Sequence, residues 1–261
     1  MINDQQLVQL FANFLSIHRE TVDNLSSRIL KHDYELPSRV RDFRAMKFIQ
    51  MESGFTPQLL EATNRFLIDI HRAECWFKVA QKLDEDDRAG LIWDFAEPHL
   101  ELAVGRPYSL KNLFTFAAVH LLHQSNFLKT PNWKDDLPSD RDIDYELLKN
   151  QGDGWLAFSG FIAKMEQLND KAFCKKETAD FRHKSQHRYR LQFDFGLTPV
   201  VERKKTEKGI TYGIGAIMPL DVEKLVPQLY VQHQRTVDVF LAYWELVNEL
   251  CAAWDNKYAQ S

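Results

Sequence analysis

Cysteine is scarce in this chain. Only three occur in 261 residues, Cys75, Cys174 and Cys251, and they form no CxxC pair. Their odd number and wide spacing exclude a disulfide framework and a zinc ribbon, and fit a reducing, cytoplasmic compartment. Glycine (10) and proline (9) are also few, which argues against a turn-rich β protein. No apolar run approaches the roughly 18 residues that a membrane-spanning helix needs, so no membrane association is expected. Residues Met1 to Arg19 lack a basic start followed by an apolar run, and no signal peptide is expected there. Nor is positive charge in excess: the formal net charge is −4, so any nucleic-acid site has to be a local patch. The GxxxxGK[ST], GxGxxG and GxSxG patterns are absent, which leaves phosphate-loop and dinucleotide binding and α/β-hydrolase chemistry without support. No cofactor and no metal centre are expected.

What is plentiful is core material. Hydrophobic residues make up 44% of the chain and aromatics 12%, and 261 residues are enough for one large domain or two small ones with a sizeable core. The apolar spacing is helical almost throughout. Leu7, Leu10, Phe11, Phe14, Leu15, His18, Val22, Leu25 and Ile29 mark one face of a long first helix. A shorter helix is predicted over 39–51, a break at Gly54, and a new helix starting at Thr56-Pro57, with Leu59, Phe66, Ile70, Ala73, Phe77 and Ala80 as its buried stripe. A helix over 88–104 should kink or end at Pro98. Gly105 to Ser109 reads as a loop, with Ser109 capping the helix that carries Leu110, Leu113, Phe114, Ala117 and Leu121. Residues 130–144 read as a surface loop and the best candidate for a boundary. Helix returns over 155–167 and 171–191. Two short runs on either side of a polar turn ending in Gly209 read as a β-hairpin over about 199–217, basic at its tip through Arg203, Lys204, Lys205 and Lys208. The last helix, about 221–255, carries His233, Val237, Phe240, Trp244, Val247, Cys251 and Trp254 in heptad-like steps, the pattern of a central core helix or of a dimer-forming one. The expected fold is all-α in the main: a multi-helix bundle in a single domain over 1–261, with the hairpin inserted before the last helix.

One segment stands apart electrostatically. Residues Lys175 to Arg190 hold Lys175, Lys176, Arg182, Lys184, Arg188 and Arg190 with His183 and His187, against only Glu177 and Asp180. Such a positive island attracts phosphate, and an Arg can grip a phosphate through two hydrogen bonds. A His beside it can move protons near neutral pH. Metal-independent RNA cleavage needs this set: a group to take the 2′-OH proton, a group to protonate the leaving 5′-oxygen, and a cation on the crowded phosphate.

Arg182-His183-Lys184-Ser185-Gln186-His187 resembles the signature of HEPN domains, which is Arg, four to six residues, then His, often with a polar residue directly after the Arg. The resemblance is specific over about a dozen residues, and helical class alone carries it elsewhere; a HEPN-like part would span about 109–256, behind N-terminal helices over about 4–104. It implies a helical bundle that cleaves or binds RNA, within a toxin or defence system. Arg182 and His187 take the catalytic positions. His183, Lys184, Arg188, Arg190, Lys175 and Lys176 would bind RNA. It also implies a homodimer in which two motifs face each other, and an antitoxin as a possible partner. Geometry points the same way: five positions apart on a straight helix, two side chains diverge by about 140°, so a bend or a facing subunit has to complete the site. Alternatives to the nuclease are a catalytically silent helical interaction protein and a helical binder of a small anionic ligand.

Several other residues invite weaker readings. Arg65 and His71 repeat the spacing, but inside an amphipathic helix without basic surroundings, and are read as coincidence. His183 and His187 could share a helix face and a metal, although neighbouring cations would repel it. His120 and His123 have no carboxylate or Cys within a turn and read as helix-border residues. His71 and Cys75 are also one turn apart, and core packing of Cys75 is the expectation.

Overall fold

The computed structural model describes residues 3–31, 43–181, 184, 189, 192–206 and 209–258. The described chain is 73% helical, with one two-stranded antiparallel hairpin before the last helix, as expected from its periodicity. Its elements in chain order are α1 (Asp4–Arg28), α2 (Phe43–Ala80), α3 (Glu85–Leu91), a π-helical turn (Ile92–Ala96), α4 (Glu97–Asn126), α5 (Tyr145–Gln151), α6 (Phe158–Gln167), a second π-helical turn (Phe173–Glu177), β1 (Thr198–Thr206), β2 (Gly209–Ile217) and α7 (Val222–Tyr258).

Local chemistry explains where most of these begin. Asn3 and Gln6 form a reciprocal capping box at the start of α1, each side chain bonding the other's backbone N–H at 2.9 Å. Asp84 caps α3 and Asp144 caps α5 through side-chain acceptors. In the hairpin, Thr198 pairs with Ile217 and the register runs unbroken to Thr206 and Gly209.

Three expectations fail: two place a break where helix continues, and one places helix where the chain breaks. α2 is a single helix through Gly54, Thr56 and Pro57, not two. Pro57 forfeits one backbone bond, but Phe48, Thr56 and Leu59 are all buried along the same stretch, and that burial outweighs the loss. α4 likewise runs straight through the predicted Gly105–Ser109 loop with Pro107 inside it, because Ala103, Val104, Leu110 and Phe114 form one buried stripe. Conversely, the predicted 171–191 helix is interrupted: Ala179 (φ 49°) and Asp180 (φ 61°) adopt left-handed backbone right after the second π-helical turn, and Phe181 and Lys184 are helical again. The first π-helical turn sits directly ahead of Pro98, where a kink was expected, and closes with the Glu97 N–H bonding the Ile92 carbonyl.

The described residues fall into two compact units that do not follow the chain linearly. The first gathers 1–29, 66–105 and 170–231, the second 30–65, 106–169 and 232–261, so α2, α4 and α7 each contribute to both. The loop over 130–144 lies inside the second unit. In the first unit, Phe14 and Phe95 stack on Trp76 at 4.3 and 4.7 Å, and Phe11 meets it edge-on at 5.1 Å. Phe66, Ile70, Leu100, Phe193 and Leu229 are fully buried in the same unit. In the second unit, Phe114 and Phe161 approach Tyr243 at 5.8 and 6.1 Å, and the Trp254 indole donates to Ser125 Oγ at 3.1 Å.

Candidate functional site

The basic segment is described in part. Lys175 and Lys176 lie on the second π-helical turn with exposed side chains, and Lys184 is half-buried. Arg182, His183, His187, Arg188 and Arg190 lie outside the described residues, and with them the catalytic pair and the His183/His187 metal reading. Two described residues of the segment are anchored. Phe181 is buried and packs on Phe193 with ring centroids 5.4 Å apart. Tyr189 donates its phenol O–H to the Val201 carbonyl at 3.0 Å. The second anchor ties the basic segment to strand β1 of the hairpin.

The hairpin adds a surface of its own. Side chains alternate between the faces of a strand, and the register sets Val201 opposite Ile214, Arg203 opposite Tyr212, and Lys205 opposite Ile210. All six are exposed, Tyr212 at 65% and Ile214 at 87%. The opposite face turns Val200 inward, where it is buried. One face of the hairpin is thus a strip of cations interleaved with an aromatic ring and branched aliphatics. Tyr212 was not singled out from the sequence, though the hairpin register places it across from Arg203.

A second concavity lies within the first unit. It is a cleft of about 220 Å³ lined by Thr21, Leu25, Arg28, His71, Glu74, Lys78 and Tyr230. Glu74 is its hub. Lys78 Nζ donates to Glu74 Oε1 and the Tyr230 O–H to Glu74 Oε2, both at 2.6 Å. Burial alone would raise the Glu74 carboxyl, but these two donors and the Lys78 charge outweigh it and hold the group below the usual carboxylate range. The same burial and the Glu74 carboxylate push the Tyr230 phenol well up. The Arg28 guanidinium lies over the Tyr230 ring, 5.0 Å from its centroid.

His71 forms the floor of this cleft and is buried. Its Nε2 is 3.3 Å from Thr21 Oγ1, and the Thr21 hydroxyl already donates to the Ile17 carbonyl at 2.7 Å. His71 Nε2 is therefore the donor in that pair. Burial and the nearby His18 imidazole depress its pKa, so the ring is neutral at pH 7. Cys75 Sγ stands 3.6 Å from the same nitrogen, fully buried. Burial pushes its thiol up to about 11, which makes it a packing residue as expected and not a nucleophile.

His120 and His123 find the carboxylates that the local sequence lacked. The 130–144 loop brings Asp135 Oδ1 to 3.2 Å from His123 Nε2 and Asp140 Oδ1 to 3.7 Å from His120 Nε2. Asp135 also lies 3.9 Å from Lys47. Among the described residues no group of three or more His, Cys, Asp or Glu is placed to hold a metal ion, and no helix is long and apolar enough to cross a membrane. Compared with known proteins, the chain matches no family model, no curated protein and no solved structure.

Proposed function

We propose that this chain is a HEPN-like, cytoplasmic RNA-binding protein and metal-independent endoribonuclease of a toxin or defence system. The observation that carries the reading is the bond from Tyr189 to Val201, which joins the segment of Arg182 and His187 to a hairpin face bearing Arg203, Lys205 and Tyr212. Cations that track a phosphate backbone, with an aromatic ring on which a base can stack, are the two requirements for holding single-stranded RNA. Lys175 and Lys176, both exposed, add positive charge on the same basic segment. In this reading His187 transfers the proton and Arg182 stabilises the charge that grows on phosphate as the 2′-oxygen attacks phosphorus and the P–O5′ bond breaks. His183, Lys184, Arg188 and Arg190 hold the substrate. The active form is a homodimer with paired motifs.

Purified protein incubated with total RNA, with and without EDTA, tests this. EDTA-resistant cleavage is the expected result, from a species that light scattering at micromolar concentration finds to be a dimer. A second reading, a catalytically silent helical interaction protein, draws on the exposed Val201, Ile210 and Ile214. Absence of cleavage with tight binding of a protein partner and none of RNA would select it.

A further inference from the structure

We infer that the Arg28–Lys78 cleft is a binding site for a small organic oxyanion, a phosphate ester or a carboxylic acid, separate from the RNA-binding surface. Its lining has two cations, Arg28 and Lys78, and one carboxylate, Glu74. Both oxygens of Glu74 are already engaged, by Lys78 and by Tyr230. The carboxylate therefore acts as a fixture that orients the Lys78 ammonium and the Tyr230 ring. An ammonium has three donors, and only one of them is used on Glu74. The Arg28 guanidinium lies over the Tyr230 ring, 5.0 Å from its centroid, and its five N–H donors form a fork suited to a two-oxygen acceptor. With His71 neutral, the formal charge of the lining is one positive unit.

Size and polarity narrow the ligand. The cleft of about 220 Å³ exceeds several times the roughly 30 Å³ share of one water, and falls below the roughly 300–1,000 Å³ of sites that take drug-sized ligands. A bare ion would rattle in it, and a folded polymer segment would not enter. Leu25 and Tyr230 both line it, so a short apolar body behind the charged head has a surface to meet. The floor offers His71, whose Nε2–H is committed to Thr21. The head is therefore gripped from the rim, by Arg28 and Lys78, and the body by Leu25 and Tyr230.

Calorimetric titration of the full chain with phenyl phosphate and, separately, with benzoate tests this, because the two share a body and differ in the head. Saturable one-to-one binding of at least one probe is expected, and the preferred head identifies the ligand as a phosphate ester or as a carboxylic acid. Arg28→Ala should weaken the binding by about tenfold or more, the worth of a charge-assisted hydrogen-bond pair. Arg28→Lys should not restore it fully, because an ammonium lacks the fork. Lys78→Gln, which removes a rim cation and leaves Glu74 uncompensated, should weaken it as well. Reversing Arg203 and Lys205 to Glu should leave this titration unchanged while weakening RNA binding, which keeps failure here distinct from failure of the ribonuclease reading. Saturation by neither probe, or an Arg28→Ala variant with native circular dichroism that binds as the parent does, overturns the inference.

Discussion

Glu74 accepts hydrogen bonds from two side chains that come from sequence positions far apart, and that shared acceptance is what orders its surroundings. Tyr230→Phe keeps the ring under Arg28 and deletes only the O–H donated to the carboxylate. A hydrogen bond to a charged group contributes about 1.5–3 kcal/mol, and partial exposure of Glu74 places the expected loss at the lower end, read as a drop in the midpoint of urea unfolding. No change would mean that water replaces the phenol without cost. Burial depresses the pKa of both His71 and His120 below the ordinary 6.5, against opposing carboxylates at Glu74 for the first and at Asp140 and Asp135 for the second. His18 and Lys78 near His71, and His123 near His120, add to the depression. The unfolded chain then binds protons more readily, so these groups contribute stability that is fully present above about pH 6.5 and is lost as pH falls through their folded pKa values. Glu52 and Asp194 are raised by burial and act oppositely, their contribution being lost as pH rises through their folded pKa values. The decisive quantity is therefore a difference: His71→Gln and His120→Gln should each flatten the fall in melting temperature between pH 7 and pH 5. A slope as steep as that of the parent in both variants contradicts the assignment.

Two glycines separate local helix propensity from tertiary burial as the cause of the long helices. Gly54 in α2 and Gly105 in α4 are helical, and a Cβ added at either meets nothing within 4 Å. Gly54→Ala and Gly105→Ala should each raise stability by about 0.5–1 kcal/mol in denaturant unfolding, because Ala restricts the unfolded chain and fits the helix. Destabilisation by either would restore the break that glycine and proline suggested. Glycine and proline are local turn signals, whereas Phe48 and Leu59 in α2, and Ala103 and Leu110 in α4, bury one continuous stripe across each junction and keep it helical. α1, α7 and the hairpin were legible because their apolar period and turn chemistry agree with their burial. On α7 the buried face runs through Thr236, Phe240, Tyr243, Val247, Leu250 and Trp254, with the anticipated Phe240, Val247, Cys251 and Trp254 inside it and Val237 and Trp244 at its margin. The interruption after Glu177 had no legible signal, since Ala179 is a strong helix former that adopts a left-handed backbone here.

For the whole molecule, chemistry was legible only where it was contiguous. The island of Lys175 to Arg190 is a local run and announces itself in the sequence. The cleft does not: Arg28, Glu74 and Tyr230 lie in three helices, and only the fold brings them together. The His120 and His123 carboxylates were likewise out of local reach, supplied by a loop that begins several residues beyond the end of α4. The hairpin sits between these cases, since its register makes Tyr212 a neighbour of Arg203. Tyr212→Ala should reduce affinity for single-stranded RNA by the worth of one stacked base, about 1–3 kcal/mol. Exchanging Arg203 and Lys205 for Glu should lower affinity and flatten its dependence on salt, because fewer counterions are released. Filter binding over a range of salt concentrations checks both, and unchanged affinity and slope would make the hairpin a bystander. The proposal that Arg182 and His187 act as one ribonuclease site is tested by the cleavage rate of His187→Ala on RNA in the presence of EDTA. Loss of the proton-transfer group predicts a rate lower by about 10²- to 10⁴-fold with the fold intact; a variant that cleaves RNA as fast as the parent protein contradicts the claim.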